Sequence, residues 1–265
     1  MLKANYHTHT SFCDGESSPE EIVRAALASG MEHLGFSSHV DISPVMDVPA
    51  YLAEVRRVQK EYGDRIDILC GGELDNLYPD RSPQGFDYLI GSVHHMKAGE
   101  EILAVDWKED MFLHLLNDYY GGDGYRLCRE YFRLTAETYG RGKCDWIGHF
   151  DLITRFNERF HYVDEEDRRY LDPAFEVMDY LVKEGLPFEI NTKLADRGKI
   201  YPGRTLLTKL KEMGGKIIFS SDAHRASDLL HGFELGIGLA VECGFDTACI
   251  LVSEKKGAGF VPVKL

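Results

Sequence analysis

The sequence predicts an α/β fold whose parallel sheet closes into a distorted barrel of about seven strands. Three observations carry that expectation. Apolar, strand-like runs alternate with helix-like segments along the chain, which implies parallel strands joined by right-handed crossovers. A histidine or acidic residue stands at the C-terminal end of one predicted strand after another, and that is the face on which closed β/α barrels hold their active sites. Finally, 265 residues with 44% hydrophobic side chains suit one large domain, expected to span 1–265 because no Pro/Gly/Ser linker interrupts it. An open doubly wound sheet is the alternative. No Gly-x-Gly-x-x-Gly opens a helix after a strand, which counts against a dinucleotide cofactor.

The first strand (2–6) runs into His7-Thr8-His9 and then Cys13-Asp14-Gly15. Residues two apart in a strand share a side, so His7 and His9 can address one metal ion. Gly15 lets the chain turn and bring Asp14 beside them; neutral imidazole and carboxylate are the usual ligands of zinc, iron or manganese. Ser18-Pro19-Glu20-Glu21 reads as a capping box, opening a helix that stops at Gly30. The second strand (33–38) ends at His39. A polar helix (49–62) precedes the third strand (66–70), closed by Gly71-Gly72-Glu73. The fourth (87–93) ends at His94.

The polar and aromatic stretch 107–141 contains a helix near 125–139. The fifth strand (144–148) ends at His149, with Asp151 just beyond. An irregular charged insertion (155–172) leads to a helix (173–184) and a sixth strand (187–190) ending at Asn191. Another helix (204–213) and Gly214-Gly215 introduce the seventh strand (216–220), which ends in Ser221-Asp222-Ala223-His224. A last helix (229–243) and a strand-like segment (247–252) complete the chain.

Composition excludes several classes. The formal net charge of −14 argues against a sequence-independent nucleic-acid surface, which needs clustered Lys and Arg. Bound divalent ions can still make one cleft positive on an acidic protein and attract a small anion. No run approaches the roughly 18 apolar residues of a membrane span, and no secretory apolar segment is read at the N-terminus. The six cysteines are scattered without Cys-x-x-Cys pairing, which fits a reduced, cytoplasmic protein.

The strand-end residues are His7, His9, Asp14, His39, Glu73, His94, His149, Asp222 and His224. One catalytic ion uses about three or four protein ligands, so nine with a bridging carboxylate can serve two or three. His33, His114, His161 and His231 lie in contexts that suit packing or solvent. His95 follows His94 and points to the other face of an ideal strand.

The motifs His7-Thr8-His9, Cys13-Asp14-Gly15, Ser38-His39, Gly72-Glu73, Gly91-Ser92-Val93-His94, Gly148-His149-Phe150-Asp151 and Ser221-Asp222-Ala223-His224 resemble, in order, those of the PHP (polymerase and histidinol phosphatase) superfamily. Gly71-Gly72-Glu73-Leu74-Asp75, Ile190-Asn191-Thr192 and Ile200-Tyr201-Pro202 resemble its histidinol-phosphatase branch. Two departures stand out: Ser37-Ser38-His39 where Ser-Asp-His is commoner, and Lys193-Leu194-Ala195-Asp196-Arg197 in place of a shorter Ser-Gly-Leu-Arg segment.

The resemblance implies a distorted (β/α)7 barrel and a single PHP metallophosphoesterase domain. It implies that His7, His9, Glu73 and Asp222 hold one ion, Glu73, His94 and His149 a second, and Asp14, His39 and His224 a third. Two to three divalent transition-metal ions (Zn, Fe or Mn) are therefore expected. A water shared by two ions loses its proton near neutral pH and is the expected nucleophile. In-line attack throws charge onto the non-bridging phosphoryl oxygens, where an ion and an arginine can stabilise it. Arg197 is the first candidate for that arginine and Arg155 the second. Asp222, with His224 behind it, is the expected proton donor to the leaving alkoxide.

The implied reaction is hydrolysis of L-histidinol phosphate in histidine biosynthesis. Side chains of 155–172 and 107–120 are expected to cover the site and to meet the imidazole and amine of that small-molecule ester. The alternatives are another PHP-type phosphatase or phosphodiesterase, acting on phosphotyrosine or nucleotides, and a non-catalytic metal-binding module.

Overall fold

In the computed structural model of the chain, residues 2–42, 45–80, 83–141, 144–254 and 257–265 are described. The strands are β1 (Ala4–Asn5), β2 (His33–Phe36), β3 (His39–Val40), β4 (Asp67–Asp75), β5 (Tyr88–Ser92), β6 (His95–Ala98), β7 (Glu101–Ala104), β8 (Trp146–Ile147), β9 (Phe188–Asn191), β10 (Ile217–Ser220), β11 (Thr247–Glu254) and β12 (Gly257–Lys264). The main sheet runs β1-β2-β4-β5-β8-β9-β10-β11-β12, with β3 also on β4. Its pairings are parallel up to β11, and β12 returns antiparallel. The sheet curls until the chain after β1 meets the chain after β10. Thr8 bridges Ala223 in parallel, through Ala223 N–H to His7 O (3.1 Å) and His9 N–H to Ala223 O (2.8 Å).

The inner face is filled by Ala4, Tyr6, Leu69, Tyr88, Ile90, Trp146, Ile218, Cys249 and Leu251. Burying an aromatic side chain of this size is worth on the order of 4–6 kcal/mol in gross transfer free energy. Each tyrosine also finds a polar partner. The Tyr6 hydroxyl donates to Leu251 O (2.7 Å), and that of Tyr88 reaches the carbonyls of Tyr6 and Phe36 at 2.5 and 2.9 Å. The β11–β12 hairpin closes the end opposite the site, with Phe260 edge-on to Trp146.

The helices α1 (Pro19–Ala28), α2 (Val48–Tyr62), α3 (Glu109–His114), α4 (Gly124–Arg141), α5 (Asn157–Phe160), α6 (Arg168–Lys183), α7 (Arg204–Glu212) and α8 (Phe233–Glu242) lie along the chain between strands. Helix α1 carries the capping box read from sequence, with Glu21 Oε2 accepting from Ser18 N–H at 2.8 Å.

Several elements differ from expectation, among them helix α5, which lies within the stretch expected to be irregular. Strand β4 does not stop at residue 70 but passes through Gly71 and Gly72 to Asp75. A Cβ on Gly71 would lie 2.1 Å from the Tyr88 ring, so the glycine admits that ring rather than ending the strand. The hairpin β6–β7 occupies 95–104, where the sequence pattern shows no strand. Strand β12 follows the last expected segment. Helix α6 starts at Arg168 rather than 173, because Asp167 caps it by accepting from Arg169 N–H at 2.8 Å.

Candidate metal centre

The ends of the parallel strands bring all nine sequence-predicted ligand residues to one place. His7 and His9 leave β1, His39 opens β3, and Glu73 lies in β4. His94 follows β5, His149 follows β8, and Asp222 and His224 follow β10. Asp14 arrives by a tight loop in which Cys13 and Gly15 both donate backbone N–H to Thr10 O (3.0 and 3.1 Å). A Cβ on Gly15 would sit 2.7 Å from the His9 carbonyl carbon, so only glycine allows this approach. Asp222 has φ +51°, a left-handed conformation that costs a non-glycine residue free energy and clusters at functional sites.

Glu73 is the hub. Its Oε2 lies 3.2 Å from His7 Nε2, 3.5 Å from His9 Nε2 and 3.1 Å from His39 Nδ1; its Oε1 lies 3.1 Å from His94 Nε2 and 2.8 Å from His149 Nε2. His9 Nε2 is 3.2 Å from Asp222 Oδ1. Asp14 reaches His9 (3.5 Å), His39 (3.6 Å) and His224 (3.2 Å). Four of these atoms, His7 Nε2, His9 Nε2, His39 Nδ1 and Glu73 Oε2, are buried and make no hydrogen bond. The ring nitrogens of His94 and His149 face each other at 3.2 Å. Orphaned nitrogens and a carboxylate aimed at common points suit divalent cations. Ligand atoms of His7, Glu73 and His149, of His7, His9 and Asp222, and of His9, Asp14, His39 and His224 each lie within 4.8 Å of one another.

The electrostatics of the protein-only site agree. Burial alone would push His7 down, but the carboxylates of Glu189, Glu73 and Asp222 hold it well above the usual range. His39 is raised to about 10 against its own burial, chiefly by Glu73 and Asp14. His9 goes the other way, lowered by burial and by His224 and His39. Glu73, despite complete burial, is held far below the usual carboxylate range by His7, His94 and His39.

Around them stands a layer to which the sequence reading assigned no role. Glu189 of β9 is fully buried. Its Oε1 accepts from His7 Nδ1 (2.6 Å) and from the Ser220 hydroxyl; its Oε2 accepts from His149 N–H (2.8 Å) and Asn191 Nδ2 (3.0 Å). This pairing puts the His7 proton on Nδ1 and leaves Nε2 to face Glu73. Asn191 Nδ2 also lies 3.2 Å from Asp222 Oδ2. Asp75 accepts from His94 N–H (2.9 Å), and His95 lies between Asp75 (3.5 Å) and Asp41 (3.4 Å). A charged residue inside an apolar, doubly buried strand, as in Phe188-Glu189-Ile190, was the available signal. Lys193 was also missed: its Nζ is 3.0 Å from Asp222 Oδ1.

Two confluent cavities open on the cluster. The inner one is lined by Asp14, Glu73, Asp222 and several of the histidines together with Asp106, Arg155, Lys193 and Tyr201. The outer one, about 380 Å³, adds Asp41, His95, Ala104 and Trp107. Arg155 lines both, and its buried Nε makes no hydrogen bond. Arg197 ends a short turn at 195–197, is exposed, and is not among the residues lining either cavity. Of the two stretches expected to cover the site, Arg155 and Trp107 are the contributors to these walls. Phe112, Phe156 and Tyr162 instead pack on one another. Among the described residues no helix is long and apolar enough to cross a membrane.

A curled parallel sheet that gathers histidines and carboxylates at its C-terminal edge defines an α/β protein with a clustered metal centre. The chain matches the PHP domain over residues 5–193 and belongs to that family. It is 31% identical to the histidinol-phosphatase of Lactococcus lactis subsp. lactis, over 85% of this chain and 86% of that protein. It is 26% identical to a probable histidinol-phosphatase of Schizosaccharomyces pombe, over 96% of this chain and 91% of the relative. Among solved structures it is similar to the L. lactis histidinol phosphate phosphatase complexed with zinc, L-histidinol and phosphate. That similarity has a TM-score of 0.74 at 25% identity, covering 95% of this chain and 98% of the other. A putative histidinol phosphatase from Listeria monocytogenes shares the fold, with a TM-score of 0.70 at 20% identity.

Proposed function

We propose that this chain is a metal-dependent phosphomonoesterase that hydrolyses L-histidinol phosphate to L-histidinol and phosphate in histidine biosynthesis. One observation carries the reading: the orphaned, buried Nε2 atoms of His7 and His9 and Nδ1 of His39 converge on Glu73 Oε2, itself without a hydrogen bond. Relatives named for this activity match along most of the chain. In this reading the curled sheet is a distorted (β/α)7 barrel with the Thr8–Ala223 bridge as its closure, and residues 1–265 form one cytoplasmic PHP domain.

The ligand sets are those the family resemblance implies; the geometry itself gathers His7, Glu73 and His149, then His7, His9 and Asp222, then His9, Asp14, His39 and His224. His7, His9, Glu73 and Asp222 would hold one ion, Glu73, His94 and His149 a second, and Asp14, His39 and His224 a third. Zinc, manganese and iron all suit this nitrogen-and-oxygen set. Divalent ions held there supply an acidified water and offset the charge of the phosphate. Glu189 fixes the orientation of the His7 ring and thereby the direction of its donor atom, and Asp75 holds the His94 backbone in place. Arg155, with a free buried Nε in the wall, is the arginine that meets the phosphoryl oxygens, in preference to the exposed Arg197. Asp222, by its carboxylate or through a water, with His224 behind it at 3.4 Å, would deliver a proton to the leaving alkoxide. Asp41, Asp106 and Trp107 give the outer cavity the carboxylates and the aromatic face that a cationic amine and an imidazole need.

The test combines metal analysis with phosphate release. Protein purified without chelator carries two to three equivalents of transition metal. Chelation abolishes phosphate release from L-histidinol phosphate, and zinc or manganese restores it. Full activity with one equivalent or none overturns the reading.

A further inference from the structure

We propose that Lys193 is a catalytic residue of this chain, whose ammonium group binds the phosphoryl oxygens at the mouth of the metal centre. This rests on reading the site as one for a phosphate ester.

Lys193 is the second residue after β9, and its backbone is pinned through its own N–H and through Thr192 before it. Its N–H donates to Asn191 Oδ1 at 3.1 Å, and Asn191 is itself tied to Glu189 and Asp222. The preceding Thr192 donates its N–H to Ser220 O (3.0 Å) and its hydroxyl to His231 O (2.6 Å). From this fixed root the side chain reaches into both cavities. Nζ stops 3.0 Å from Asp222 Oδ1 and 3.4 Å from His224 Nε2. A third of the side chain stays exposed, so the head sits at the boundary between the buried cluster and the space open to a substrate.

Those two contacts are with atoms that an ion would also claim. His224 Nε2 has a single lone pair and cannot both face an ammonium group and ligate a divalent cation, and a cation on Asp222 Oδ1 competes with the ammonium for the same charge. An ion seated there repels the ammonium, and a flexible four-carbon stem on a fixed backbone lets it turn towards the nearest remaining anion. In a loaded site that anion is the phosphoryl group. Arg155 lines the same two cavities, so the phosphate meets two protein cations, one a planar fork and one a point charge. Charge that grows on the non-bridging oxygens strengthens both contacts as the reaction proceeds. Removal of one such donor commonly costs about 10²–10³-fold in turnover.

The experiment compares wild type, Lys193→Met and Lys193→Arg, all metal-loaded. Binding of inorganic phosphate is followed by calorimetry and metal content is measured on the same samples. Lys193→Met is expected to weaken phosphate binding at least about tenfold and lower kcat/KM for L-histidinol phosphate about 10²-fold, with metal content unchanged. Lys193→Arg recovers most of both, because the charge is kept. Phosphate affinity unchanged in Lys193→Met overturns the proposal. So does a gain of metal and activity in that variant, which would make the lysine only a competitor for the ion. So does loss of metal, or a wild type that binds no phosphate. Phosphate binding needs no ester, so the role of Lys193 is tested even in a protein inactive on L-histidinol phosphate.

Discussion

Glutamine at position 189 keeps the shape of the buried side chain and removes its charge and one acceptor. Four donors converge on Glu189: His7 Nδ1 at 2.6 Å and the Ser220 hydroxyl on one oxygen, His149 N–H at 2.8 Å and Asn191 Nδ2 at 3.0 Å on the other. An amide can satisfy only one side. Turned with its NH2 towards His7, it forces the ring proton onto Nε2, the atom that faces Glu73 and is needed as a ligand. Turned the other way, it opposes the His149 backbone and Asn191. Loss of such an outer partner costs about 10–100-fold in metal affinity. That is about 1.4–2.7 kcal/mol, the size of one hydrogen bond to a charged group. Glu189→Gln should therefore stay folded by circular dichroism and lose zinc to a chromophoric chelator at 10–100-fold lower chelator concentration, with kcat falling in step. Zinc affinity within about twofold of wild type, with normal turnover, refutes the positioning role.

Other outcomes follow from the same geometry. Glu73→Ala removes the carboxylate shared by five histidines and should lower both metal content and kcat; full occupancy with near-normal turnover assigns the bridge elsewhere. Arg155→Ala should cost about 10²-fold in kcat/KM while Arg197→Ala stays near wild type, and the reverse order contradicts the placement of the phosphate. Burial pushes the Asp151 carboxyl up to about 7 from 3.8, so the folded state keeps a proton that the unfolded chain gives up. Stability from this group is thus present below about pH 4 and lost as pH rises through 7, by up to about 4 kcal/mol. Asp151→Asn can keep the bond from Gly203 N–H (3.0 Å) and should flatten that fall in urea unfolding at pH 5 and 8, both proteins in one metal state. An unchanged pH slope in the variant counts against it.

The centre was legible because most of its nine residues end or follow a strand, and strand ends can be read from local pattern; His39, which opens β3, and Glu73, inside β4, were legible as the polar residues that close an apolar run. His7 and His9 need only the two-residue period, and Asp14 only the glycine that turns the loop. The partners around them depend on contacts between distant segments. Glu189 meets His7 across 182 residues of chain, and no local rule links them. Lys193 and Arg197 stand four apart in one loop, and which of them faces the cavity depends on the fold of 192–203, not on residue type. Glycine was misleading at 71, where a propensity rule implies a stop and a tertiary contact with Tyr88 requires an uninterrupted strand. Hairpin β6–β7 escaped because its two four-residue strands are too short for a period to register. The aromatic residues between 107 and 162 were legible as a group but not by destination: Phe112, Phe156 and Tyr162 went to the core, and Trp107 to the wall of the cavity.

The most direct test of the proposed activity is a comparison of kcat/KM for L-histidinol phosphate, p-nitrophenyl phosphate and simple sugar phosphates on one metal-loaded preparation. Asp106 and Trp107 line the outer cavity beside the metal cluster, where an ester without amine and imidazole leaves Asp106 without a cationic partner. The expected preference for L-histidinol phosphate is at least about a thousandfold. Comparable values across the panel, or a preference for phosphotyrosine peptides or single-stranded DNA, would contradict it.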